Sequence, residues 1–191
     1  MSSATPVACA LAELGVPDKR VRVDITIAEQ RRPDDLALSP NGKVPTLTVG
    51  GAPMFEALAI EMWLGQTYGV TSGLWPAEGT PENLQARAWS TWACVTCGAQ
   101  LMRLQAATGL GMPDDAHGTA ARKSLDGLLT LLDDRLGRQA WMLGAACTLV
   151  DLIVATVIGY SAYIGAPVAT HPTTLAWLQK VQARPSMRIE T

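Results

Sequence analysis

The chain has 191 residues, enough for one large domain or two small ones. Fifteen Lys and Arg against 17 Asp and Glu leave a net charge of −2, with no basic run, which excludes nucleic acid and acidic lipid as partners. With 48% hydrophobic and 17% charged residues, it reads as a globular protein whose apolar surface suits burial in an oligomer.

No positively charged segment precedes an apolar core at the start, so secretion is not expected. The most hydrophobic stretch, 152–166, is shorter than the roughly 20 residues a bilayer needs, and it reads as a buried core helix rather than a membrane span. Cys9, Cys94, Cys97 and Cys147 lack the spacing of a disulfide scaffold, which points to the reducing cytoplasm.

In chain order, residues 6–14 predict a helix, with Val7, Ala10, Leu11 and Leu14 on one face and Gly15 as its stop. Residues 21–27 alternate Val21, Val23, Ile25 and Ile27 with polar neighbours, the pattern of a half-buried strand. A polar loop follows over 28–43, with room for one helical turn. Short strands are expected at 46–49 and 52–55, joined by Gly50-Gly51. A helix over 56–68 opens at acidic Glu56, where the helix dipole favours negative charge. The Gly, Ser, Pro and Thr of 69–81 read as a linker.

Everything beyond is helical: 81 to about 107, a break at 109–115, then 119–136, 148–163 and 172–181. The fold class expected is therefore an α/β half followed by an all-α half, with domains at 1–70 and 81–191 and a linker at 71–80. Thr148 and Asp151 have the spacing of a capping box on the third of these helices.

The most informative motif is Ser39-Pro40-Asn41-Gly42-Lys43-Val44-Pro45-Thr46-Leu47, with Glu56-Ala57 nine residues later. Proline at a strand removes a ladder donor, so it belongs at an edge or where backbone is offered to a ligand. The free amide and carbonyl of Val44 are such an offer. Cys94-Val95-Thr96-Cys97 lies inside a helix, without the N-terminal dipole that lowers a redox thiol's pKa, and reads as packing. His117 and His171 have no metal-ligand spacing, so no metal is expected. The six tryptophans fit helix packing better than base stacking.

These segments resemble the glutathione S-transferase family along nearly the whole chain. Ala10-Leu11-Ala12-Glu13-Leu14-Gly15 is similar to its first helix, and Gly42-Lys43-Val44-Pro45-Thr46-Leu47 and Phe55-Glu56-Ala57 to its glutathione site. Trp141-Met142-Leu143-Gly144 with Thr148-Leu149-Val150-Asp151 resembles its core-helix motif, and Ala183-Arg184-Pro185 its closing helix. The resemblance implies a thioredoxin-like N-terminal half and a helical C-terminal domain. It also implies a cis Val44-Pro45 bond, glutathione as co-substrate, a homodimer and a small hydrophobic electrophile as the other substrate.

Carried over residue by residue, Val44 and Pro45 would pair with the cysteinyl part of glutathione and Glu56 with its γ-glutamyl end. Lys43 would meet the glycyl carboxylate. The family's serine after the acid is Ala57 here, leaving helix-start amides to hold a carboxylate. The family's first strand is missing ahead of the first helix, which implies a reduced sheet, one patched by another segment, or an upstream segment that restores it. Ser2 and Ser3 fall near the family's activating serine. Trp92, Cys94, Cys97, Met102 and Arg103 lie on the helix that lines the family's electrophile pocket. Two alternatives share the fold: a specialised isomerase, lyase or dehalogenase, and a non-catalytic binding module that has lost glutathione.

Overall fold

The computed structural model describes residues 3–109 and 116–188. The expected break at 109–115 lies almost wholly outside them. Helix α1 (Thr5–Leu14) carries Pro6 in its first turn and ends on Gly15. A short α2 (Pro33–Leu38) precedes the antiparallel strands β1 (Thr46–Val49) and β2 (Ala52–Phe55), then α3 (Ala57–Leu64), which continues as a π-turn over Gly65–Gly69.

The second half holds α4 (Pro81–Thr91), a π-turn over Trp92–Cys97 and α5 (Gly98–Gly109) as one rod. It is followed by α6 (Ala116–Leu136), α7 (Leu149–Tyr163) and α8 (Pro172–Gln182). The architecture is that of a small two-stranded N-terminal sheet with helices, followed by a helical C-terminal half.

The hairpin forms as its sequence dictates. Gly50 and Gly51 both take positive φ (57° and 86°), which a two-residue turn matched to strand twist requires. Thr46 pairs with Phe55 and Leu47 with Met54, and Leu47 and Met54 pack on the core. Pro45 stands just before β1, whereas Pro53 sits inside β2 opposite Thr48. A two-stranded ribbon is marginal in water by itself, so this contact with the helices holds it.

The strand expected at 21–27 does not form. Residues 16–24 have no regular structure and Ile25–Ile27 is a single 3-10 turn. Alternation alone does not make a strand without a neighbour to bond, and among the described residues the sheet has only β1 and β2. Local side chains win instead. The Asp24 carboxylate accepts the Thr26 amide at 2.9 Å and its hydroxyl at 2.6 Å, while the Asp24 amide donates to Glu29 at 2.7 Å. The apolar members are left in water, with Val21 76% exposed and Ile27 65%.

The core centres on α7, where Leu149, Val150, Leu152, Ile153, Val154, Ala155 and Ile158 are buried, as the short all-apolar stretch predicted. No helix among the described residues is long and apolar enough to cross a membrane. The halves are tied by a bond from the Leu149 amide to the Leu74 carbonyl at 3.0 Å. Trp75 is wedged so closely under α3 that a Cβ on Gly65 would stand 2.6 Å from its ring. The Asp151 carboxylate knots the start of α7, accepting from Met142 N (2.8 Å), Thr148 N (2.9 Å), Thr148 Oγ1 (3.0 Å) and Trp177 Nε1 (2.9 Å).

Candidate functional site

The register Thr46–Phe55 means that Pro45 and Glu56 leave the ladder side by side, one entering β1 and the other starting α3. Val44-Pro45 is joined cis. No described group accepts a hydrogen bond from the Val44 amide. Its carbonyl accepts the hydroxyl of Ser3 at 2.6 Å, and a carbonyl has a second lone pair to offer.

Glu56 caps α3 with φ 72° and ψ 111°, a region non-glycine residues avoid, at a cost of about 1–3 kcal/mol. Its side chain makes no bond to its own helix. The first helical bond runs from Ile60 N to Glu56 O at 3.0 Å, so the amides of Ala57, Leu58 and Ala59 have no intrahelical acceptor. The Glu56 carboxylate is met instead by Asn41 Nδ2 at 3.0 Å.

One rim thus carries a backbone amide unpaired among the described residues, an exposed carboxylate, a hydroxyl and the positive start of a helix. Such a rim can hold a zwitterionic peptide: carboxylate on the helix amides, ammonium on Glu56, peptide backbone along Val44. Lys43 is exposed beside it.

The N-terminal profile of the glutathione S-transferases, "Glutathione S-transferase, N-terminal domain", matches residues 1–67, and their C-terminal domain profile matches 101–185. Glutathione S-transferase hmp2 of Hypomyces subiculosus is 30% identical over 95% of this chain and 90% of its own length. The chain belongs to the glutathione S-transferase family. Glutathione S-transferase GstB of Escherichia coli is 28% identical over 93% of this chain and 87% of its own. A sphingomonad glutathione S-transferase, solved in complex with glutathione, superposes with a TM-score of 0.83 at 27% identity. It covers 97% of this chain and 91% of its own.

Among the family-suggested residues, the fold brings Ser3 to Val44, and Pro45 to Glu56 and Ala57. Ser2 lies outside the described residues. The five residues on the α4–α5 rod are placed less uniformly. Trp92 is half-buried, edge-on to Trp89 with ring centroids 5.0 Å apart. Met102 is 62% exposed, and Arg103 is exposed and donates to Gln100 on its own helix at 3.4 Å.

Cys94 is half-buried, whereas Cys97 is fully buried in the core and has no surface to offer a ligand. Burial pushes both thiols up to about 12, so neither is a thiolate at neutral pH, in keeping with packing rather than redox chemistry. All four cysteines are unpaired. His171 meets Asp126 at 2.9 Å and His117 is exposed. Two grooves, of about 190 and 350 Å³, run between α4 and the end of α6 around Arg135, and no rim residue lines them.

Two residues carry more than the sequence suggested. Asn41 belonged to a turn signal, yet it holds Glu56 across 15 residues of chain. Glu61, the only charged residue in α3, is 2% exposed, and its Oε1 has no partner among the described residues. Burial pushes its pKa from 4.5 up to about 8, so at neutral pH it is mostly a neutral acid. A lone Glu between Ile60 and Met62 was the signal available.

Proposed function

We propose that the protein binds glutathione along the Val44–Glu56 rim and joins its thiol to a small hydrophobic electrophile by addition or substitution. The observation that carries this reading is the unpaired Val44 amide beside Pro45, next to Glu56 and the open amides of α3. Glutathione has the matching groups: a peptide unit for Val44, an ammonium for Glu56 and a carboxylate for the Ala57 and Leu58 amides. Lys43 meets the second carboxylate. The glutathione held by the sphingomonad relative supports the same ligand here.

The Ser3 hydroxyl, bonded to the Val44 carbonyl, turns to donate to the sulfur anion. This stabilises the thiolate where it is formed, and holding both reactants together supplies the rest of the acceleration. Trp92, Cys94, Met102 and Arg103 border the electrophile, with Cys97 packed behind them. The enzyme is cytoplasmic and works as a homodimer. Low charge and exposed apolar side chains, among them Leu84 and Leu131 at 67% and 48% accessible, support self-association.

Ala57 favours a second reading, a binding module with weakened or lost glutathione affinity, because it removes one charge-assisted hydrogen bond. Such a bond is worth about 1.5–3 kcal/mol, or roughly 10- to 150-fold in affinity. Calorimetric titration with glutathione and turnover of an aromatic halide test the two readings. Binding with turnover supports the transferase. Binding without turnover leaves a specialised member of the family, and folded protein silent at millimolar glutathione supports the module.

A further inference from the structure

We infer that Asn41 is a positioning residue that pre-orients the Glu56 carboxylate for the ammonium group of the ligand, an inference resting on the glutathione reading above. Glutamate can only accept, so the Asn41 group 3.0 Å from Glu56 Oε1 is its NH₂, whichever way the amide is drawn. That bond is the one contact made by the Glu56 carboxylate among the described residues, and it leaves Oε2 open to a second donor.

Asn41 projects from a rigid base. The Gly42 amide donates to the Ser39 carbonyl at 2.8 Å, and the Ser39 hydroxyl, itself buried, donates to the Lys43 carbonyl at 3.1 Å. Gly42 is packed under Leu36 and Arg31. At the other end of the bond, the backbone of Glu56 is fixed at φ 72° but its side chain stands in solvent with three free torsions. Without a tether, binding would have to order that side chain at the moment of association. Asn41 has ordered it beforehand.

The need is greater here because Ala57 offers no hydroxyl. Glu56 is the one side chain at the start of α3 that can fix the orientation of a γ-glutamyl end. Asn41 acts through Glu56 and touches neither thiol nor electrophile. Its removal should therefore change affinity for glutathione and leave the rate at saturation unchanged.

The test is calorimetric titration of glutathione into wild type, Asn41→Ala, Glu56→Ala and the double variant, with melting curves alongside. Asn41→Ala should raise Kd roughly 2- to 10-fold, the value of ordering one side chain in advance. It should raise the KM for glutathione equally and leave kcat and Tm unchanged. The double variant should bind no more weakly than Glu56→Ala alone. The glutathione analogue lacking the γ-glutamyl amine should bind wild type and Asn41→Ala alike. Equal Kd for wild type and Asn41→Ala overturns the inference, as does a loss that persists in the Glu56→Ala background or with the analogue. A wild type that binds no glutathione overturns the functional reading and this inference together.

Discussion

Helices α3 and α7 both begin beside a carboxylate, and they use it in opposite ways. At α7 the chain closes its own end: Asp151 reaches back to the Thr148 amide and hydroxyl and also takes Met142 N and Trp177 Nε1, fully out of solvent. At α3 the cap carboxylate turns away from its helix to Asn41, the backbone is held at positive φ, and the first amides are left open. A satisfied helix start stabilises the fold; an open one is a place for something else to bind.

The two helix starts differ most in what the loss of the carboxylate costs, and the larger cost is at Asp151. Asp151→Ala leaves Met142 N, Thr148 N and Trp177 Nε1 buried without an acceptor, at about 1–3 kcal/mol each. Denaturant melts should lose several kcal/mol, or the protein should fail to fold, while any folded fraction binds glutathione as before.

Glu61 sharpens the contrast from inside α3, since it is buried like Asp151 yet has an oxygen with no partner among the described residues. Its pKa is raised on folding, so the native state keeps a proton that the unfolded chain has already released. Its contribution to stability is whole below the ordinary value of 4.5. It falls as pH rises from there to about 8, and then levels off. Glu61→Gln should flatten that part of the stability profile. Melts from pH 5 to 8 read this clear of the Cys9 and Cys94 thiols, which burial pushes up to about 11 and about 12. An unchanged slope contradicts the account.

At the open end, Ala57→Ser should tighten glutathione roughly 10- to 150-fold by restoring one charge-assisted bond, with little change in Tm. Unchanged affinity would mean that the γ-glutamyl carboxylate is not held there. The smallest effect belongs to Glu13, which joins α1 to Arg184 and Ser186 at the C-terminal end. Burial pulls its pKa up, but the bonds from Arg184 and Ser186 outweigh burial and lower it. The stability it adds is present above its usual range and lost as pH falls through it, so Glu13→Gln should lessen acid sensitivity.

What the sequence revealed depended on how local the cause was. The hairpin, the Asp151 box and the end of α1 at Gly15 each rest on residues within a few positions, and each formed where expected. The strand at 21–27 failed because alternation describes a face, whereas a strand also requires a bonding edge, and Asp24 and Glu29 supplied a competing turn. The π-turns at Gly65–Gly69 and Trp92–Cys97 each widen one turn of a helical stretch, a local change of hydrogen bonding that no residue type in them announces. Within the site, Val44, Pro45 and Glu56 were legible as a motif. The Asn41 tether and the burial of Glu61 depend on chain packing that no spacing encodes.

Glutathione lying on the backbone of the rim would perturb the amides it touches, which chemical-shift mapping of the nitrogen-15-labelled protein reads one by one. The account predicts saturable shifts on titration centred on the Val44, Ala57 and Leu58 amides, with the Asn41 side-chain NH₂ following. Shifts confined to the α4–α6 grooves around Arg135, or none at millimolar glutathione, would contradict it.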